Sequence, residues 1–237
     1  MTTDFQSPVY LKIHSGGQTG ADLAGLWVAQ AYNLPTGGWA PQGYKTLIGD
    51  QPTLGTLFGL KDWGSYRQRT IRNVSESDLT MIFGSSFQSP GTKLTISACL
   101  KHKKTVVTFL DPRTDVVLGD LVAAMSSSTV AKAISEMSAA LVDKLLNGRS
   151  LLSMDDYTIL NIAGNATKNV RPEVFELTFV ALTLVLDQAI ENLKSRNFYL
   201  VGTDHNPVTS STLTVSERYK LAQSLKDRFD AEINPAL

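Results

Sequence analysis

Val9-Tyr-Leu-Lys-Ile-His14 is an apolar run that passes directly into the glycine-rich Ser15-Gly-Gly-Gln-Thr-Gly20, and Ala21 to Asn33 then reads as a helix stopped by Pro35. The pattern predicts a short strand, a turn and a helix. A turn of this kind can aim its backbone amides at an anion resting on the helix N-terminus, so phosphate is the expected guest. Gly16, Gly17, Gln18, Thr19, Gly20 and Asp22 are candidate binding residues on this ground. The spacing matches neither the Gly-x-Gly-x-x-Gly fingerprint nor the Walker pattern, which places a Lys-Ser or Lys-Thr pair after the last glycine. The competing reading is a tight turn that needs glycine for its own backbone.

Downstream, Thr36 to about Trp63 is rich in Gly and Pro with little periodicity, a length that marks functional or mobile loops. Tyr66 to Val74 predicts a helix, Leu79 to Phe83 a buried strand, Thr92 to Lys103 a helix and Thr105 to Leu110 a strand. An amphipathic helix follows over Val130 to Leu146 with Gly148 as its stop, then a strand over Thr158 to Ala163 and a long helix from Pro172 to about Lys194. This alternation argues for an α/β fold, a mainly parallel sheet flanked by helices. Ser89-Pro90-Gly91-Thr92 repeats the arrangement of the first turn, after a strand and before a helix, so Ser89, Gly91 and Thr92 can converge on the same ligand. Thr92 as a simple helix N-cap is the alternative. After Phe198 a polar linker with Gly202, Asn206 and Pro207 leads to a helix over Val215 to Glu232, opened by the capping-box spacing Thr214-x-x-Glu217. The expected organisation is a ligand-binding domain over 1–197, with a helical insertion at about 113–157, and an appended linker and helix over 198–237.

Composition narrows the function. Lys plus Arg equals Asp plus Glu at 22 each, which removes the broad positive field that nonspecific nucleic-acid or membrane-surface binding draws on. Cys99 is the only cysteine, His14, His102 and His205 lack metal-ligand spacing, and no metal ligands are expected. The start of the chain has neither the basic segment nor the apolar run of a signal peptide, and Leu177 to Leu186 is too short to span a bilayer; a cytoplasmic protein is expected. Val174 to Leu186 is apolar on more than one face, which places it at the centre of a core or at a subunit contact, and a homo-oligomer is expected from it.

Several side chains are candidates for recognition. Arg69 and Arg72 lie three apart on one predicted helix, where a guanidinium can grip a phosphate. Asp78 can accept from a ribose hydroxyl, and Trp39, Tyr44 and Trp63 can stack on a planar ring or anchor the long loop to the core. Glu173 and Glu176 are carboxylates near the start of a helix, where acids also simply favour the helix dipole.

Five ordered motifs carry a resemblance: Gly16-Gly-Gln-Thr-Gly-Ala-Asp22, Gly37-Gly-Trp-Ala-Pro-x-Gly43, Gln68-Arg-Thr-x-x-Asn73-Val-x-x-Ser-Asp78, Gly91-Thr-x-Leu-Thr95 and Leu160-Asn-Ile-Ala-Gly164. Over most of residues 9–193 the chain resembles the circularly permuted YpsA-like branch of the SLOG family, whose members include molybdenum cofactor carrier proteins. The resemblance implies a Rossmann-like three-layer sandwich with a pocket lined by these loops, which adds Trp39, Arg69, Asn73, Thr95 and Gly164 to the site; Glu173, on the helix after the Gly164 loop, is the further candidate there. It also implies a phosphate-bearing ligand such as a nucleotide, an ADP-ribose-derived signal or a molybdopterin-type molecule. Related phosphoribohydrolases carry a catalytic glutamate three residues after the Gly-Thr pair, and Thr95 stands there in this chain. The expectation is a binder without catalytic residues; a nucleotide-processing hydrolase and a macromolecular partner-binding protein are the alternatives. The chain departs from the family pattern in a longer Asp111–Tyr157 region, in Pro90 before Gly91, and in its tail from Phe198.

Overall fold

The computed structural model describes residues 6–111, 124–125, 127–147, 156–166 and 173–233. In chain order the elements are β1 (Ser7–Ser15), α1 (Ala21–Ala31), β2 (Thr36–Gly37), β3 (Trp39–Ala40), β4 (Lys45–Thr46), β5 (Gly49–Asp50), α2 (Thr53–Phe58), β6 (Lys61–Asp62) and α3 (Tyr66–Glu76). They continue with β7 (Leu79–Gly84), α4 (Pro90–Lys101), β8 (Thr105–Leu110), α5 (Ser128–Asn147), β9 (Thr158–Gly164), α6 (Val174–Lys194), β10 (Phe198–Val201) and α7 (Val215–Ile233). The insertion expected over 113–157 contributes α5; Gly148 and Pro172 lie outside the described residues.

The central sheet is parallel, in the order β10-β1-β9-β7-β8, and β2 pairs with the end of β1 on the edge whose beginning β10 covers. Every residue of β7 is buried, as a strand covered by helices on both faces must be. On one face α6 lies at the centre, packed by α1, α5 and α7; on the other face α3 pairs with α4. The main core fills the first face, and a smaller cluster of Val74, Ala98 and Cys99 lies under α3 and α4. This is the α/β sandwich the alternation predicted.

Local chemistry sets the helix starts. Ser65 and Gln68 form a reciprocal capping box at α3, Ser89 accepts from the Thr92 amide at α4 with Pro90 in the first turn, and Thr214 and Glu217 cap α7 as their spacing predicted.

Two features differ from the sequence reading. Residues 198–201, read as the start of a polar linker, are a sheet strand: Ser7 to Tyr10 register with Phe198 to Val201. Four residues between a helix end and Gly202 are too few for periodicity to reveal, yet Phe-Tyr-Leu-Val are strand formers. The helix beyond is likewise docked, with Phe229 edge-on to Trp27 at 6.2 Å and Ala222 buried. The apolarity of α6 on several faces is taken up within the chain, by the sheet, α1, α5 and α7, so it carries no argument for a subunit contact.

Candidate functional site

Beyond the carboxyl end of β9, next to the starts of α1 and α4, a crevice of about 50 Å³ is lined by Asp22, Arg69, Thr70, Asn73, Gly91, Thr95 and Asn161 to Gly164. Open parallel sheets bind ligands at this end. Its floor is an ion pair: Arg69 Nη1 lies 3.0 Å from Asp22 Oδ2, with the two side chains 13% and 6% exposed. Burial pushes the Asp22 carboxyl above the usual carboxylate range, and Arg69 pulls it back. The pair packs against Gly16, where a Cβ would fall 1.3 Å from Arg69 Nη1 and 2.8 Å from Asp22 Oδ2. Arg69 Nε is buried without a hydrogen-bond partner.

The first glycine loop turns inward. The Gln18 amide donates to Asp22 Oδ2 at 3.3 Å, the Gly17 amide to Ser15 Oγ at 3.4 Å and the Thr19 amide to Gln18 Oε1 at 3.0 Å. Amides expected from the sequence to face a ligand anion therefore meet acceptors of the protein itself. Gln18 Oε1 also accepts from the Leu47 amide at 2.8 Å, tying the long loop to the glycine turn. Gly17 has a left-handed φ of 68° and packs so tightly on Leu54 and Leu60 that a Cβ would lie 2.7 Å from one and 2.9 Å from the other. Gly20 (φ 90°) is the N-cap of α1, and Thr19 Oγ1 is buried without a partner.

The second loop is the more open one. A Cβ on Gly91 would meet nothing within 4 Å, and Gly91 lines the crevice. Thr95 lines it too, its hydroxyl donating to the Gly91 carbonyl at 3.1 Å. Ser89, not Thr92, is the N-cap of α4, which starts two residues earlier than Thr92; Ser89 Oγ accepts from the Thr92 amide and donates to Thr92 Oγ1 at 2.8 Å.

Asn165, not singled out from the sequence, joins the loops. Its Oδ1 accepts from the Ser85 and Ser86 amides at 3.0 and 3.1 Å, and its Nδ2 donates to the Ser86 carbonyl at 2.8 Å and Thr92 Oγ1 at 3.3 Å. Its backbone carbonyl accepts from the Ala21 amide at 3.2 Å. One buried amide thus fixes the loops after β7 and β9 and the start of α1. Gly164 makes the strand ends fit, since a Cβ there would fall 1.8 Å from the Phe83 carbonyl oxygen. Asn161 and Thr70 stand within the quoted motifs but were not singled out as site residues; a polar Asn161 in the middle of an apolar strand, 2% exposed in the structure, was the available signal.

The structure places other candidates away from the crevice lining or in supporting roles. Asn73 lines it but holds the backbone of Trp39 at both ends, accepting from its amide at 2.9 Å and donating to its carbonyl at 3.0 Å. The Trp39 ring carries Arg72 at 3.5 Å from its centroid, stands edge-on to Trp63, and donates through Nε1 to Glu76 at 2.7 Å. Arg72 therefore lies over two tryptophan rings and pairs with Glu76 at 2.9 Å, away from the crevice lining. Tyr44 anchors the loop by donating to the Leu60 carbonyl. Asp78 precedes β7 and accepts from the Ile159 amide at 2.8 Å, at the opposite end of the sheet from the crevice. Glu173 is the N-cap of α6 and makes no side-chain cap bond; Glu176 is buried against Lys226 of α7 at 3.3 Å. His14 is pushed down to about 4 by burial, with nearby Lys12 adding to the shift.

Among the described residues no group of three or more His, Cys, Asp or Glu is placed to hold a metal ion, and no helix is long and apolar enough to cross a membrane. No functionally curated protein matches the sequence. A crystal structure of a candidate molybdenum carrier protein from Syntrophus aciditrophicus SB is similar, with a TM-score of 0.53 and 28% identity, over 76% of this chain and 98% of that one. The model of the circularly permutated YpsA SLOG family matches residues 13–136, just over half of the 237-residue chain, spanning the glycine turn, the long loop and the Gly91 loop, and the chain belongs to that family.

Proposed function

We propose that this chain holds a phosphate-bearing small molecule, of nucleotide or molybdopterin type, without converting it, the phosphoryl group seated beside Arg69. The observation that carries this reading is the crevice itself: among the described residues the cation that lines it is Arg69, and open space lies over Gly91 at the first turn of α4. A volume of about 50 Å³ suits a phosphoryl group, leaving the ring system of the ligand to lie outside it. The similarity to the candidate molybdenum carrier from Syntrophus supports a molybdenum-bearing molecule within the range of cargo. Holding is favoured over hydrolysis because Thr95 offers a hydroxyl already committed to Gly91 where related hydrolases carry a glutamate. Glu173 and Glu176 are not among the lining residues. The binding unit is the domain of residues 1–197, which β10 and α7 complete.

The test is mass spectrometry of small molecules released on denaturing the purified protein and two variants, Gly91→Ala and Gly91→Asp. A Cβ at Gly91 meets nothing within 4 Å and a carboxylate there is favoured by the helix dipole, on a residue that lines the crevice. Gly17 is unsuitable, because any side chain there collides with Leu54 and Leu60. The expected result is a nucleotide or pterin that copurifies with the parent and Gly91→Ala and is lost from Gly91→Asp. Equal retention by Gly91→Asp, or product accumulating beyond one equivalent per chain, refutes the proposal.

A further inference from the structure

We infer that Asp22 is a resident anion of the crevice, competing with the phosphoryl group of the ligand for Arg69 and the Gln18 amide and so setting how tightly the ligand is held. The inference rests on the reading of the crevice as a phosphoryl site. Three observations carry it. Asp22 is 5% exposed and lines the crevice, so its carboxylate is neither a solvated charge nor a group remote from the ligand. Its Oδ2 already occupies an amide of the glycine turn and a guanidinium nitrogen, the two kinds of donor with which a helix-terminal site takes a phosphate. It also stands in the first turn of α1, where it meets the positive end of the helix dipole that would otherwise favour a ligand anion, whereas the first turn of α4 holds no acid.

Arg69 can be handed over. Its Nη1 pairs with Asp22 while its Nε stays buried without a partner, so the guanidinium retains unspent donor capacity beside the crevice. A phosphoryl oxygen arriving at Arg69 comes close to a carboxylate that must be displaced, neutralised or tolerated. In each case the affinity falls below what the same donors would give alone. Removing a full charge several ångströms from the ligand anion is worth roughly ten- to a hundredfold in affinity. A protein that delivers its cargo gains from this: the carboxylate returns to its donors as the ligand leaves, and no bare guanidinium is left buried.

The experiment is calorimetric titration of inorganic pyrophosphate into the full chain and its Asp22→Asn, Asp22→Ser and Gly91→Asp variants, with thermal melts of each. The expected result is at least tenfold tighter binding by both Asp22 variants and loss of binding by Gly91→Asp. If the parent binds, Gly91→Asp does not, and the Asp22 variants bind no tighter than the parent, the competition is refuted while the site stands. If no protein binds pyrophosphate, the site and the inference fall together. If both Asp22 variants unfold, Asp22 is a structural brace and the inference fails.

Discussion

Gly16→Ala is expected to unseat the ion pair on the crevice floor. Gly16 is not among the glycines with positive φ, so alanine meets no backbone strain. Its methyl carbon would instead fall 1.3 Å from Nη1 and 2.3 Å from Cζ of Arg69, and 2.8 Å from Asp22 Oδ2. The guanidinium is the free end of a flexible chain and swings aside, leaving a carboxylate that is 6% exposed without its cation. Removing one partner of a buried pair costs about 3–5 kcal/mol. Because Arg69 is 13% exposed and Asp22 can take up a proton instead, the lower end applies, about 3 kcal/mol. For a chain of this size that lowers Tm by roughly 6–12 °C. Urea denaturation of parent, Gly16→Ala, Arg69→Ala and the double variant closes a cycle, in which Gly16→Ala is near neutral once Arg69 is gone. A Gly16→Ala protein as stable as the parent, or one that loses the same stability in the Arg69→Ala background, refutes the reasoning.

Asn165→Ala removes four side-chain hydrogen bonds that hold two loops, and a loss of about 2–4 kcal/mol is expected in the same assay; a loss below about 1 kcal/mol would show that water replaces them. His14 gives an acid sensitivity of known sign: the unfolded chain takes up its proton near pH 6.5 and the fold only near 4, so stability falls as pH drops through that window, by about 3 kcal/mol. A His14→Gln protein should show a correspondingly flatter profile between pH 6.5 and 4 in parallel denaturation series, and equal slopes would count against the buried neutral imidazole. Asn73→Ala frees both backbone groups of Trp39, so limited proteolysis within residues 36–65 should accelerate several-fold while the far-ultraviolet spectrum is unchanged.

The fold was legible where the chain obeys a single period. β1, β7, β8 and β9 are apolar runs bounded by turn residues, and the cap of α7 is written in Thr214 and Glu217; the Ser65 cap of α3 was not read, and at α4 Ser89 holds the place given to Thr92. β10 was hidden because four residues cannot display a period, and β2 to β6 because each has only two. The residues of the glycine turn were legible, but their reason was not. Whether a glycine clears space for a ligand or for a neighbouring side chain depends on what lies opposite, and Arg69, Leu54 and Leu60 come from distant parts of the sequence. Asn165 was missed on the same principle: an asparagine after a strand reads as a turn former, and its partners at 85, 86 and 92 are known only once β7 and β9 are neighbours.

The position of β1 in the sheet bears on how the molecule is made. It precedes every other described strand in the chain, yet its full-length neighbour on one side begins at Thr158 and the strand covering its start on the other begins at Phe198. Until those segments are synthesised it has, among the described strands, the two residues of β2 to pair with, whereas β7 already has β8 on one edge by Leu110 and waits for β9 on the other. The edges of β1 are therefore closed by segments that lie about 150 and 190 residues further along the chain, at Thr158 and Phe198. In a product truncated before Thr158, both β1 and the free edge of β7 present unpaired backbone N–H and C=O groups on apolar strands, which makes these two edges the points at which it would aggregate.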